Sequence, residues 1–130
     1  MNLTQAVEGK EYIVRETADG SLNISEDVIG IIAHEAMREV EGFGGVSNTL
    51  GKEIAEFIGK KSAFRGITVS GREDGLTIDA FVAVKYGYAV TNVAEAIQEA
   101  IGKAVSDTTG VEVKAVNVHV GGIAFEKEKQ

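Results

Sequence analysis

Between Leu76 and Val120 the chain changes its hydrophobic period twice, and that succession constrains the fold more than any other feature. Leu76, Ile78, Ala80, Val82 and Val84 occupy every second position, the signature of a strand with one face buried. Val90, Val93, Ala94, Ile97, Ile101, Ala104 and Val105 then recur at helical spacing, and Gly110 stands where a left-handed C-terminal cap belongs. Val116, Val118 and Val120 alternate again, out of phase with Val111 and Val113, so this strand should carry a bulge near Lys114 or Ala115. Strand, long helix and strand in succession predict a right-handed crossover, with the last strand parallel to the first.

Upstream the punctuation comes from glycine, because the chain has 16 Gly and no Pro. Ile67 and Val69 alternate with Thr68 and Ser70, and Asp74-Gly75 supplies a two-residue turn into the strand that begins at Leu76. Ser25 is a good N-cap with Glu26 and Asp27 in the first turn, and Ile24 and Ile29 are spaced for a hydrophobic staple. Val28, Ile29, Ile32, Ala33, Ala36, Met37 and Val40 continue at helical spacing, so a helix is expected over 26–41, stopped by Gly42. Before it, residues 11–17, then Asp19-Gly20, then Leu22 and Ile24 read as a hairpin. Within 44–62, Val46 to Leu50 suggests a short strand and Ile54, Ala55, Phe57 and Ile58 a turn or two of helix.

A chain of 130 residues, 44% hydrophobic and 25% charged, can bury one apolar core. The expected architecture is a single two-layer α+β domain over residues 10–125, one mixed β-sheet with two main amphipathic helices on one face. Residues 1–9 read as a loose end and 126–130 as a polar tail. The sheet face opposite the helices carries Thr68, Thr77, Asp79, Phe81, Lys85 and His119. Of these, Thr68, Thr77, Phe81, Lys85 and His119 form the candidate interaction face, with Phe81 as an exposed aromatic among polar neighbours.

Known chemistries are hard to place on this chain. With no cysteine there is neither a disulfide framework nor a thiolate, as suits a reducing compartment. His34-Glu35 opens a zinc-protease-like pattern, but Arg38 stands where the second histidine should be, and a guanidinium cannot ligate zinc. Neither phosphate-loop nor nucleophile-elbow motifs occur, so no catalytic residue, cofactor or metal is expected. Gly42-Phe43-Gly44-Gly45 satisfies the GxxG of RNA-binding KH domains, yet it follows the acidic segment Glu39 to Glu41 and reads better as a helix-ending turn. The net charge of −7 lies mostly in residues 1–41, with nine acids against three bases, and disfavours nucleic acid and anionic membranes. Lys60, Lys61 and Arg65 are the best basic cluster and read as the solvated end of a helix. No apolar run is long enough to span a bilayer and no signal peptide is legible, so a cytoplasmic location is expected.

The order of the segments carries a family likeness. Leu22-Asn-Ile-Ser-Glu-Asp-Val-Ile29 leads to Ile32-Ala33, then Phe64-Arg-Gly-Ile-Thr-Val69, then Leu76-Thr-Ile-Asp79 running to Val84-Lys-Tyr-Gly87. Val93-Ala-Glu-Ala-Ile-Gln98, Thr109-Gly110 and Val116-Asn-Val-His-Val120 follow. Over roughly residues 10–125 this resembles the alkaline shock protein family of Gram-positive bacteria. The resemblance implies a cytoplasmic protein of the cell-envelope stress response, without catalytic residues, in some members held at the membrane by a small membrane protein. It also implies that Ile67, Val69, Ile78, Tyr86, Gly87, Gly110, Asn117 and Val118 act mainly as scaffold. The expected function is therefore a non-enzymatic interaction protein that self-associates as a homo-oligomer, docks on a small membrane-anchor protein, or does both, with a KH-like nucleic-acid binder as the alternative.

Overall fold

The computed structural model describes residues 5–7, 10–47, 66–72 and 75–125. Seven strands and two helices are laid out within them. Strands β1 (Gln5–Val7), β2 (Lys10–Thr17) and β3 (Gly20–Ser25) precede helix α1 (Glu26–Arg38), and β4 (Phe43–Val46), β5 (Ile67–Arg72) and β6 (Gly75–Lys85) come next. Helix α2 (Val90–Thr109) and strand β7 (Val113–Ala124) complete the order.

β6 organises the molecule. β7 runs parallel to it from the Leu76–Val113 pair to the Lys85–Ala124 pair. Antiparallel β5 pairs with residues 75–80 of β6, and β4 meets it at Val82 and Val84. A strand has two edges, so β7 takes one along its length while β5 and β4 share the other end to end. The predicted parallel placement of the last strand is thus observed. So is the bulge, because Leu76 pairs with Val113 and Thr77 with Ala115, which leaves Lys114 as the extra residue. A second shift at Gly121 follows from the pairing of Val82 with Val120 and of Ala83 with Gly122.

Leu76, Ile78, Ala80, Val82 and Val84 are all fully buried on one face of β6. There they share a core with Ile29, Ala33 and Met37 of α1 and with Val93, Ile97, Ile101 and Val105 of α2. The two helices cover that face because each presents one apolar stripe and each stripe needs a partner surface. α1 begins as expected, with the Val28 amide donating to the Ser25 hydroxyl at 3.3 Å. It ends at Arg38, three residues earlier than the periodicity suggests, because the chain turns through Glu39 to Gly42 to bring Phe43 against β6. α2 closes on Gly110 at φ +75°, the left-handed cap read from the sequence, and Arg15 donates to its carbonyl at 3.2 Å.

Three expectations need correction. The first hairpin forms, but it joins β1 in a separate three-stranded antiparallel sheet, so the described residues form two sheets and residues 5–7 are a paired strand within what reads as a loose end. Ile13 of that sheet is still fully buried in the common core. The turn residues shift by one: Gly20 pairs with Thr17 and Gly75 with Arg72, so each glycine opens a strand instead of closing the turn. A strand begins earlier than the one read at 46–50, as β4 from Phe43 to Val46, and residues 48–50 fall outside the described residues. The helical turns proposed near Ile54 to Ile58, the basic cluster Lys60, Lys61 and Arg65, and the polar tail from Glu126 fall outside the described residues.

Candidate functional site

The face of β6 turned away from the helices carries Thr77, Asp79, Phe81, Ala83 and Lys85, as strand alternation requires. The ladders place Thr68 of β5 opposite Asp79, and Asn117 and His119 of β7 beside Asp79 and Phe81. The Lys114 bulge makes this possible, because the extra residue turns Val116, Val118 and Val120 to the helices and Asn117 and His119 to the other side.

A polar cluster results. The Asn117 amide donates to Asp79 Oδ1 at 3.2 Å, and His119 Nε2 lies 2.9 Å from the same oxygen. The Asp79 side chain is 6% exposed and that of His119 37%, so a nearly buried carboxylate is satisfied by a partner that reaches solvent. The Phe81 ring stacks on the imidazole, with centroids 4.6 Å apart and planes 13° from parallel. Carboxylate and phenyl together fix the imidazole in position and plane.

The structure thus gathers Phe81 and His119 into direct contact and Thr68 across from their carboxylate, with Thr77 half-buried one pair further along. Lys85 stands apart, exposed at the end of β6. The expectation that Phe81 is exposed is wrong: it is 3% exposed, and Thr68 and Asp79 are buried with it. Alternation assigns a side chain to a face but not the depth of cover over that face. Asp79 is read onto this face but outside the candidate set, and Asn117 only as scaffold, since only the strand register brings positions 38 apart into a hydrogen bond.

A second feature lies where β6 and β7 end. Arg38, Phe43, Gly44, Gly45, Lys85, Ala124 and Phe125 line an open groove of about 410 Å³. Beside it the rings of Tyr86 and Phe125 stack with centroids 5.2 Å apart.

The other motifs take ordinary structural places. His34 is half-buried on α1 with its Nδ1 unbonded, and among the described residues no three His, Asp or Glu side chains are grouped to hold a metal ion. Gly42 to Gly45 does not bridge two helices as a KH loop does, for Phe43–Val46 is a strand paired with β6. No helix among the described residues is long and apolar enough to cross a membrane.

Fold and site together define a small α+β domain with an ordered polar sheet face. The chain belongs to the alkaline shock protein 23 family, described as having a cell envelope-related function, with which it matches over residues 14–125. This is not a known enzyme family. Uncharacterized protein YqhY of Bacillus subtilis is 30% identical over 115 residues, covering 88% of this chain and 85% of that protein. Uncharacterized protein Spy1535 of Streptococcus pyogenes is 37% identical over 109 residues, covering 83% of this chain and 82% of its own. A solved MamM CTD variant covers 74% of this chain and 93% of its own at 17% identity, and its TM-score of 0.46 is too low to carry an argument.

Proposed function

We propose that the domain is a non-enzymatic, cytoplasmic interaction protein of the cell-envelope stress response, which self-associates and docks on a small membrane-bound partner. The partner meets the sheet face around His119, with Thr77 and Lys85 as flanking contacts and Thr68 and Phe81 as buried support. One observation carries this reading: an imidazole that reaches solvent is held by a buried carboxylate and a stacked ring on a sheet, the rigid and partly apolar setting of an interface anchor.

The test is co-purification from native cells with solubilised membranes, comparing wild type with His119→Gln, which keeps a donor for Asp79 but loses the ring. Recovery of one small membrane protein by the wild type, and its loss in the folded variant, is the expected result. Equal recovery by both would place the docking surface elsewhere, and recovery of nucleic acid would favour the alternative class.

A further inference from the structure

We propose that two copies of this chain pair antiparallel through α1, the outer stripe of each helix seating in the groove at the end of the other's mixed sheet. The inference rests on the self-association reading above and names the surfaces that carry it.

Single exposed hydrophobics need no explanation, but clustered ones do. Tyr86, Tyr88, Val90, Ile123 and Phe125 are five of the eight large hydrophobic side chains left exposed among the described residues. They come from two segments that meet, since the Tyr86 amide donates to the Ala124 carbonyl at 2.8 Å. Tyr86 and Phe125 are each 71% exposed although stacked on one another, so the pair is ordered without being covered. Next to it the groove is lined by the cations Arg38 and Lys85 and, among the described residues, by no acid, Arg38 being paired with Glu35 of its own helix at 3.2 Å. A Cβ added at Gly45 would meet nothing within 4 Å, which leaves the space over that strand open.

The complementary surface is on α1. Asp27, Val28, Ile31 and Glu35 are exposed, and their spacing of three and four places them along one side of the helix. That stripe is acidic at its Asp27 end and apolar beyond it, Glu35 being paired with Arg38 of its own helix, and the groove is cationic at Lys85 and aromatic at Phe125. An amphipathic helix seated in a groove is a recurring mode of recognition.

Geometry selects a closed pair over a chain of copies. Arg38 lies on the same side of α1 as Ile31 and Glu35, and Val28 is about 15 Å from it along the axis at 1.5 Å per residue. Stripe and groove are therefore contiguous, and one two-fold axis across α1 lets each copy fill the other's groove. The acidic start of one helix then faces Lys85 and the Glu35-paired Arg38 of its mate twice, and the helix dipoles oppose favourably. A net charge of −7 argues against an anionic lipid surface as the occupant.

Sedimentation velocity on the full chain over a range of concentrations tests this, with Ile31→Asp for the stripe and Phe125→Asp for the groove. Both sites are exposed, and circular dichroism checks that both variants fold. The wild type should dimerise, and each variant alone should dimerise at least about tenfold more weakly, having lost the apolar half of both contacts. An equimolar mixture of the two should regain a dimer, because one intact stripe then meets one intact groove. Variants that dimerise like the wild type, or a mixture that stays monomeric, would overturn the pairing. So would a monomeric wild type whose binding to anionic phospholipid vesicles is abolished by Phe125→Asp, which would assign the patch to lipid. A monomeric wild type overturns this inference together with the self-association reading but leaves partner docking standing, whereas a wild type that dimerises with variants unaffected overturns the pairing alone; His119-independent capture overturns only the docking face.

Discussion

Phe81 shows how one residue can be assigned to the correct face and given the wrong role. Its parity sets it opposite Ile78, Ala80 and Val82, as the alternation requires, yet it is buried and stacked on His119. Phe81→Ala should therefore destabilise the domain by about 3–5 kcal/mol in chemical denaturation, the range for removing a buried aromatic; a change below about 0.5 kcal/mol would mean that the ring is not buried. Gly75 is required as a glycine for a reason other than the turn position read from the sequence. At φ +137° and with a Cβ that would lie 2.9 Å from the Glu112 carbonyl, the site resists any side chain. Gly75→Val should cost on the order of 1–3 kcal/mol by the strain of a disfavoured backbone region, measured by thermal melting. A wild-type melt would show that β6 does not open with this geometry.

At the scale of elements, α2 is held by its apolar stripe more than by its ends. Ala89 gives its start no side-chain cap, while Val93, Ile97, Ile101 and Val105 are all buried. Ile97→Asp should abolish the folded state, because a carboxylate would enter the core without a partner. Native circular dichroism from that variant would mean that the stripe is misassigned. On the outer side of the same helix Lys103 donates to Asp107 at 2.8 Å, and that hydrogen bond, with the carboxylate's charge, raises the lysine pKa above its ordinary value. A raised pKa in the folded state adds stability that is fully present below the unfolded lysine pKa and lost as pH rises through the folded one. The gap in melting temperature between wild type and Lys103→Met should thus hold constant from neutral pH upward until it closes in the alkaline range; a gap that persists unchanged through the alkaline range would contradict the assignment.

For the whole molecule the sign of the charge sets the partners. With 20 acids against 13 bases, and with the GxxG segment built into β4, polyphosphate finds no continuous cationic track among the described residues. Fluorescence anisotropy with labelled single-stranded RNA should give a Kd no tighter than about 10⁻⁴ to 10⁻⁶ M at physiological salt. A submicromolar, sequence-dependent complex would revive the nucleic-acid reading. The stacked Tyr86–Phe125 pair and the His119 imidazole both combine order with exposure, which suits the protein contacts proposed above.

The sequence by itself determined whatever depends on neighbours along the chain. The Ser25 cap, the stripes of α1 and α2, the Gly110 stop, the Lys114 bulge and the parallel return of β7 are all local periodicities or short offsets, legible because helices and strands repeat every few residues. Tertiary structure alone decided that the first hairpin would leave the mixed sheet, that Phe81 would be covered, and that Asp79 would meet Asn117 and His119 across the β6–β7 ladder. It also decided that Tyr86 would find Phe125 beside a groove flanked by Arg38 and Lys85. These outcomes depend on which strands become neighbours and on what packs over each face, and both are set by how the whole apolar surface is buried at once.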